Sequence, residues 1–484
     1  MSERPVYDLV IIGAGAAGST AAFEARGRGA RVALVEQWKV GGTCLNAGCD
    51  PTKTMVHIAS VLHAARTAAS LGLRIPEAQV EWPAVTAHVA GVIDAIRGGD
   101  GDQNIRDAGI DLFKEPARLL RAGAVQAGEA TLTGKAIILA TGARARIPDV
   151  PGLEQAGFIT NIEAVALPEL PASLVIIGAG IIALEFAQIF ARFGVEVTVL
   201  ARGPRLLPTY DAALASALQA ALEQDGVAVQ LGAAATRVSR REGQKQITFT
   251  QDGDEHTLTA AEILVAAGRD ANIHDMGLRE AGVMTQPDGV IVDDTLQTTV
   301  PGIWAVGDCV AGAPRFTPVA DDMARVAVDN ALGHTRARFG RTQLVPTVIF
   351  TDPELGHVGQ TAEQARQAGH RVRTATVPIG ALARAVITGK GEGMVTLVAD
   401  ADTGRLLGGS VLASGGGEVL GEIALAIRLG LPAGAICDTL HAYPTFSEGV
   451  FWTAWELAKP AEMGLEAAIG VETPHAAPEG AAGS

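Results

Sequence analysis

A repeated strand–glycine turn–helix pattern constrains the fold of this 484-residue chain more than any other feature. YDLVIIGAGAAG at 7–18 and ASLVIIGAGIIA at 172–183 each join a β-branched apolar run to a glycine turn and a helix-like stretch. A second apolar run follows each of them, VALVE at 32–36 and VEVTVL at 195–200. Two such βαβ units build parallel sheets with right-handed crossovers. The sequence therefore predicts two nucleotide-binding domains.

The first glycine turn has the G-x-G-x-x-G form, with Gly13, Gly15 and Gly18 between the strand and the helix. The first glycine permits a tight turn, the second lets a pyrophosphate approach the backbone, and the third lets helix and strand pack closely. Glu36 ends the second strand, where a carboxylate can accept hydrogen bonds from a ribose diol. These features together predict a dinucleotide site.

The second glycine turn has Gly178, Gly180 and, in third place, Ala183. The strand after it ends at Arg202, with Arg205 close by, and no carboxylate stands where a ribose diol would need one. An arginine at this position can pair with a 2′-phosphate. We therefore expect NADPH at this turn, with NADH as the less favoured cofactor; a solvated surface arginine is the alternative explanation of Arg202.

Composition excludes several classes of protein. Lys+Arg total 38 against 53 Asp+Glu, a net charge of −15, and aromatic residues are only 4%. Such a chain is not expected to have nucleic acid or an anionic membrane as its main partner. The sequence shows neither a signal peptide nor an apolar run of the ~20 residues that span a bilayer. Four cysteines form no disulfide scaffold, so we expect a reducing compartment, the cytoplasm.

Cys44 and Cys49 lie in GGTCLNAGCDPTK, at 41–53, before a predicted helix. A disulfide between them would store two electrons. A cysteine near a helix N-terminus and close to Lys53 would have its thiolate favoured. Two buried structural cysteines are the alternative, and spacing alone does not decide between them.

The remaining strands and helices suggest a separate α+β part from about 342 onward. Before it, predicted strands run into Thr141-Gly142 and Gly268, and a third glycine-rich turn lies at 302–309. The predicted strands are 136–140, 263–267, 345–350, 395–398 and 406–412, and the predicted helices are 418–429 and 448–457.

The cysteine segment resembles the redox-active motif of the FAD-dependent pyridine nucleotide–disulfide oxidoreductases. The resemblance covers 6–459 and includes Thr141-Gly142, Gly307-Asp308, the stretch at 346–359, and PTFSE at 444–448. It implies an α/β fold with two Rossmann-like domains, for FAD and NADP, and a C-terminal α+β dimerisation domain. The implied parts are an FAD-binding domain at 1–150 and 269–341, an NAD(P)-binding domain at 151–268, a dimerisation domain at 342–462 and a flexible tail at 463–484.

The resemblance also implies a role for each site residue. Cys49 would be the thiolate beside the flavin, Cys44 the thiol that meets the acceptor, and Lys53 would pair with Glu185 near the flavin N5, on the side where nicotinamide docks. Electrons would pass from NADPH through FAD to the Cys44–Cys49 disulfide. The residues implied to hold FAD are Gly13, Gly15, Gly18, Glu36, Gly42, Thr43, Thr141, Gly142 and Asp308; those implied to hold NADPH are Gly178, Gly180, Ala183, Arg202, Arg205 and Gly268.

The C-terminal part departs from the disulfide reductases. They carry a catalytic histidine five residues before a glutamate, and here those positions are Tyr443 and Glu448. Tyrosine, with its high pKa, is a poor base for a dithiol. This slot is similar to that of mercuric reductase, whose metal-ion substrate needs no thiol base. The similarity is incomplete, because the sequence ends in EGAAGS and lacks the cysteine pair of mercuric reductase there. His441 lies two residues before the expected histidine position and is expected to be structural.

Three further residues are interpreted from their type and position. Asp50 either disfavours the neighbouring thiolate or, as the preferred interpretation, caps the following helix. Cys309 and Cys437 are expected to be buried small hydrophobes.

The predicted function is NADPH-dependent reduction of a soft metal ion or a small disulfide by a homodimer, with Tyr443 and Glu448 facing the other subunit's Cys44. A dihydrolipoamide dehydrogenase-like enzyme is the alternative. A flavin-dependent quinone reductase or oxidase with idle cysteines, and a component docked in a multienzyme complex, stay open.

Overall fold

The computed structural model describes residues 6–76, 78–333, 337–340 and 344–458. They form two compact units. The first holds the chain up to Val345 together with Ile349–Asp352, and the second holds Pro346–Val348 together with the chain from Pro353. The predicted tail at 463–484 lies outside the described residues.

The first unit contains the strands β1 to β18 and the helices α1 to α10. The strands are β1 Val6–Ile12, β2 Val32–Val35, β3 Asp111–Phe113, β4 Ala117–Arg121, β5 Ala124–Ala127, β6 Ala130–Leu139, β7 Ala143–Ala145, β8 Ser173–Ile177, β9 Glu196–Ala201, β10 Ala228–Leu231, β11 Ala234–Arg241, β12 Gln244–Gln251, β13 Asp254–Ala260, β14 Glu262–Val265, β15 Arg269–Ala271, β16 Thr285–Gln286, β17 Gly289–Val290 and β18 Ile303–Ala305. The helices are α1 Ala16–Gly27, α2 Gly42–Ala47, α3 Cys49–Thr67, α4 Trp82–Arg97, α5 Gly101–Asp107, α6 Leu153–Ala156, α7 Asn161–Ala164, α8 Ile181–Arg192, α9 Ala212–Gln224 and α10 Thr317–Ala331.

A seven-stranded sheet forms around β1, in the order β3-β2-β1-β6-β5-β4, with β18 also paired to β6. β1 runs parallel to both β2 and β6. Leu9, Val10, Ile11 and Ile12 of β1 are all buried, as expected for a parallel strand covered on both faces. Because β18 pairs with β6 in parallel, the predicted third glycine turn follows a strand of this first sheet.

A second parallel sheet has the order β10-β9-β8-β14, and the antiparallel sheet β11-β12-β13 follows it in the chain. The pairing of β8 with β9 is parallel, like that of β1 with β2. Both predicted βαβ units are therefore confirmed. The predicted strand 136–140 is the end of the longer β6, and 263–267 is observed one or two residues earlier, as β14.

The second unit is a five-stranded sheet with helices, which confirms the predicted α+β character. Its strand order is β19-β20-β23-β22-β21, and the pairings of β20, β21 and β22 are antiparallel. Its elements are β19 Thr347–Ile349, β20 Glu354–Gly359, α11 Ala362–Gln367, β21 Val372–Pro378, α12 Ala383–Thr388, β22 Met394–Asp400, β23 Leu406–Ala413, α13 Gly416–Arg428, α14 Ala433–Cys437 and α15 Glu448–Ala458. Among the described residues, no helix has the length and apolar character needed to cross a membrane.

Candidate active site

The three glycines of the first turn have different surroundings. Gly13 has φ +102°, and a Cβ on it would lie 2.3 Å from the carbonyl oxygen of Ala140. A Cβ on Gly18 would lie 1.8 Å from the carbonyl oxygen of Gly13. A Cβ on Gly15 would meet only the Cα of Gly42, at 3.9 Å. The fold therefore requires glycine at positions 13 and 18, whereas Gly15 leaves open space at the start of α1.

That open space lies at a helix N-terminus beside a buried carboxylate. Gly15 precedes α1 without any side-chain cap, so the first N–H groups of the helix remain available to an anion. Glu36 accepts hydrogen bonds from the backbone N–H of Ala14 at 2.7 Å and of Trp38 at 2.6 Å. This arrangement fits a dinucleotide, with room for the pyrophosphate at Gly15 and a fixed carboxylate nearby.

The second turn repeats the first. Gly178 has φ +139°, and a Cβ on it would lie 2.2 Å from the carbonyl oxygen of Ala266, whereas a Cβ on Gly180 would meet no atom within 4 Å. Ala183 is fully buried behind it, and Gly268, with φ +124°, follows β14. A second dinucleotide phosphate therefore fits at Gly180.

The two arginines near the second turn differ. Arg202 is exposed just after β9. The Arg205 guanidinium donates to the backbone carbonyls of Pro208 at 2.6 Å and Tyr210 at 2.8 Å. Arg205 thus holds its own loop, and Arg202 is the arginine whose side chain extends into solvent.

The cysteines sit on two consecutive helices beside the first glycine turn. Cys44 lies within α2, and Cys49 is the first residue of α3. A Cβ on Gly42 would lie 2.7 Å from the Cα of Gly15, so the start of α2, with Gly42 and Thr43, packs against the first turn. This close approach of two backbones places the thiols next to the predicted dinucleotide.

Both cysteines are free thiols, Cys44 half-buried and Cys49 exposed. The Cys44 thiol donates a hydrogen bond to Cys49, and together with the Lys53 ammonium this lowers the pKa of Cys49 to about 6, although partial desolvation of the Cys49 sulfur by its neighbours opposes the shift. The same hydrogen bond and burial raise the pKa of Cys44 far above its usual value. When the pair is reduced, these shifts favour the thiolate on Cys49 and the thiol on Cys44.

Lys53 and Glu185 form the ion pair that the family resemblance implied. The Lys53 ammonium lies 2.9 and 2.7 Å from the two carboxylate oxygens of Glu185, which is 2% exposed. The backbone N–H of Phe350 donates to Glu185 at 3.0 Å, and the Phe350 ring lies 4.8 Å from the Lys53 nitrogen. The positive charge near Cys49 is thus fixed by a buried carboxylate.

Sequence reasoning missed the polar groups around this ion pair. Gln188 donates to Asp225 at 2.7 Å and exchanges hydrogen bonds with the backbone of Asp352 at 2.8 and 2.9 Å. Arg192 donates to Asp225 at 2.9 Å and contacts the Asp352 carboxylate at 3.3 Å. The available signal was the spacing of Glu185, Gln188 and Arg192, which puts three buried polar residues on one side of an otherwise apolar helix.

Two predictions were wrong, the capping role of Asp50 and the full burial of Cys437. Asp50 does not cap α3: the cap position is Gly48, no side-chain cap bond is present, and Asp50 lies in the first turn. Burial raises the pKa of Asp50, and its charge raises the pKa of both thiols, as the rejected interpretation held. Cys309 is buried as expected, but Cys437 is half-buried.

Two implied FAD ligands are engaged by neighbours in the first unit. The Asp308 carboxylate lies 2.9 Å from a guanidinium nitrogen of Arg269, and the Thr141 hydroxyl donates to the carbonyl of Asn272 at 2.7 Å. Gly142 has φ +67° next to Thr141. Within the described ranges, no group of three or more His, Cys, Asp or Glu side chains could hold a metal ion.

In the second unit, His441 has structural contacts. Its Nε2 lies 3.1 Å from Glu422 and its Nδ1 2.9 Å from the carbonyl of Thr439. Tyr443 is 75% exposed. The Glu448 carboxylate accepts a hydrogen bond from the backbone N–H of Thr445 at 3.1 Å. His441 is thus held by Glu422 and by the backbone of its own loop, and its structural role stays a prediction.

Comparison with known proteins decides the family. The model of the pyridine nucleotide-disulphide oxidoreductase family matches residues 7–324, and that of the family's dimerisation domain matches 345–454. The chain belongs to the pyridine nucleotide-disulphide oxidoreductase family. Members of this family depend on FAD and use a pyridine nucleotide, so the glycine turns and the thiol pair lie in a flavoprotein oxidoreductase.

Relatives within the family differ in their substrates. A mercuric reductase of Lysinibacillus sphaericus is 33% identical, over 92% of this chain and 81% of its own length. A dihydrolipoyl dehydrogenase of Thermus scotoductus is 34% identical, over 94% of this chain and 98% of its own. The HOCl-induced flavoprotein disulfide reductase RclA from Escherichia coli has a TM-score of 0.83 and 31% identity, over 94% of this chain and 100% of its own. The Cu(II) complex of RclA has a TM-score of 0.82 and 30% identity, over 93% of this chain and 100% of its own.

Proposed function

We propose that this oxidoreductase passes electrons from NADPH, through FAD and the Cys44–Cys49 pair, to a soft metal ion or a small disulfide, with the metal ion as the preferred acceptor. The observation that carries the proposal is the thiol pair, in which Cys49 has a lowered pKa and the Lys53–Glu185 ion pair supplies a fixed positive charge. Thiolates bind soft metal ions strongly and also exchange with disulfides.

The first glycine turn is the proposed FAD site. The α1 N-terminus at Gly15 binds the pyrophosphate, Glu36 the ribose, and Thr141, Gly142 and Asp308 further parts of the cofactor. Support comes from the open space at Gly15 and from the packing of Gly42 against it. When bound, FAD supplies the two-electron relay between the nicotinamide and the cysteines.

Side chains of this protein hold the proton and the negative charge of the reduced cysteine pair. Two electrons and one proton convert the Cys44–Cys49 disulfide into a Cys44 thiol and a Cys49 thiolate. The Cys44 thiol holds the proton while it donates to Cys49, and Lys53 stabilises the negative charge of Cys49. Binding of a soft metal ion between both sulfurs requires Cys44 to release that proton.

The metal ion is preferred over the disulfide because of the residue at the position of the C-terminal histidine base. Tyr443 stands where the disulfide reductases have a histidine base, and a metal ion needs no such base. The mercuric reductase relatives and the Cu(II) complex of RclA give further support. Dihydrolipoamide is the alternative substrate, supported by a relative matched over 98% of its length.

The acceptor is tested with the purified flavoprotein and NADPH, offering mercuric ion with excess small thiol, Cu(II), lipoamide and oxidised glutathione in parallel. We expect the fastest NADPH oxidation with a metal ion and little turnover with glutathione. Turnover with lipoamide alone would establish the alternative. Turnover with quinone or oxygen alone would overturn the proposal.

Arg202 is the proposed ligand of the NADPH 2′-phosphate. In Arg202→Ala we expect KM for NADPH to rise roughly tenfold or more, since a charge-assisted pair is lost, while KM for NADH stays unchanged. The measurement is steady-state kinetics with both nucleotides. Arg205→Ala is the control, because Arg205 holds backbone carbonyls and its loss should affect both nucleotides alike. Equal changes for both nucleotides in Arg202→Ala would contradict the assignment.

The working unit in this proposal is a homodimer in the cytoplasm. The dimerisation domain at 345–454 supports the dimer. The small number of cysteines, four in 484 residues, supports a reducing compartment.

A further inference from the structure

The hydroxyl of Thr317 lies between the two reactive sulfurs. Thr317 is the first residue of α10, and its hydroxyl donates a hydrogen bond to Cys44 Sγ at 3.3 Å. The same oxygen is 4.0 Å from Cys49 Sγ. The contact joins residues 273 positions apart in the chain, and neither the glycine turns nor the cysteine motif points to it.

The groups around the Cys44 sulfur act on its charge in opposite directions. The groups that act on the Cys44 sulfur are Cys49 and Asp50 of α3 and Thr317 of α10, while Lys53 acts on Cys49. The contact with Cys49 and the negative charge of Asp50 both disfavour a Cys44 thiolate, whereas the Thr317 hydrogen bond favours it.

We infer that Thr317 is the hydrogen-bond donor that supports Cys44 as the nucleophile of the pair, through the 3.3 Å contact of its hydroxyl with Cys44 Sγ. The hydroxyl stabilises negative charge on the Cys44 sulfur without accepting its proton, so that proton leaves to solvent or to the acceptor. This inference rests on the proposed role of Cys44 as the thiol that meets the acceptor.

Thr317→Val keeps the shape of the side chain and removes the hydroxyl. Loss of one hydrogen bond to a charged group should lower the Cys44 thiolate population roughly tenfold. Intrinsic nucleophilicity rises as the thiolate becomes more basic, with a Brønsted slope near 0.4–0.5, which recovers about threefold. We therefore expect alkylation of Cys44 to slow roughly threefold.

The experiment is iodoacetamide alkylation of the reduced, FAD-bound protein at pH 7, with Cys44 and Cys49 separated by peptide mass spectrometry. The rate ratio of Cys44 to Cys49 is the readout, since the longer distance to Cys49 predicts a smaller change there. Thr317→Ser is the matched control that keeps the hydroxyl and should restore the ratio. Flavin content and the thermal midpoint check that each variant is folded.

A wild-type ratio in Thr317→Val, or an equal loss in Thr317→Ser, would overturn the inference. Because the readout is thiol reactivity and uses no acceptor, it is independent of whether the acceptor is a metal ion, a disulfide or a quinone. Failure of the proposed function and failure of the Thr317 assignment are therefore distinguishable. If the valine variant is misfolded, the comparison of serine with wild type and with Thr317→Ala decides the result in the same way.

Discussion

Turnover with a metal ion or disulfide acceptor should fall about a hundredfold or more when Cys44 is replaced by serine. Serine can still donate a hydrogen bond to Cys49, so the local contact survives, but its hydroxyl neither forms a disulfide nor binds a soft metal ion strongly. The loss should therefore appear in kcat with each acceptor. The measurement is NADPH oxidation with the acceptor present, normalised to bound flavin.

Cys437→Ser is the control for this prediction. Cys437 is half-buried in α14 of the second unit, and its sulfur contacts only the carbonyl of Ala433, at 3.6 Å, among the hydrogen bonds found in the described residues. Its replacement should leave turnover unchanged. Full activity of Cys44→Ser would remove the cysteine pair from the reaction and leave a quinone reductase or oxidase as the better interpretation.

Alanine at Gly18 and alanine at Gly15 should separate folding from cofactor binding. The Cβ of Gly18→Ala would meet the Gly13 carbonyl oxygen at 1.8 Å, so the turn and α1 must shift. We expect a loss of about 2–4 kcal/mol in the free energy of unfolding, as for other backbone clashes in a packed core. Thermal unfolding of the cofactor-free protein measures this loss.

Gly15→Ala is the matched variant at the same turn. Its Cβ has 3.9 Å of clearance to the nearest atom, the Cα of Gly42, so the cofactor-free protein should unfold like wild type. The methyl group fills the space where the pyrophosphate approaches the backbone, and flavin affinity should fall roughly tenfold or more. Retention of full flavin by Gly15→Ala would show that the phosphate binds elsewhere.

The parts of the molecule that the sequence predicts are those with a local cause. Each glycine turn follows from a strand, a helix and backbone sterics within about a dozen residues, and both turns are found where expected. The Lys53–Glu185 contact spans 132 positions, and only the resemblance to a family predicted it. The helix α3 begins two residues earlier than the interpretation of Asp50 as its cap predicts, because Gly48 takes the cap position.

The contacts that sequence reasoning could not supply are long-range and side-chain specific. Thr317 reaches Cys44 because α10 starts beside α2, and nothing in its local sequence marks that position. Phe350 is similar, since its backbone N–H reaches Glu185 from 165 positions away. Such contacts depend on how sheets and helices pack together, which hydrophobic periodicity leaves undetermined.

Two buried polar residues of α8, Glu185 and Arg192, also join this helix to α3. Arg192 of α8 donates to Ser60 of α3 at 3.4 Å, and Arg66 of α3 donates to the carbonyl of Arg192 at 2.6 Å. The Lys53–Glu185 ion pair joins the same two helices, and sliding one along the other would leave the buried Glu185 carboxylate unpaired, at a cost of about 3–5 kcal/mol. The helix that starts at the second glycine turn and the helix that starts at Cys49 are thus joined near the start of α8 and again at its end.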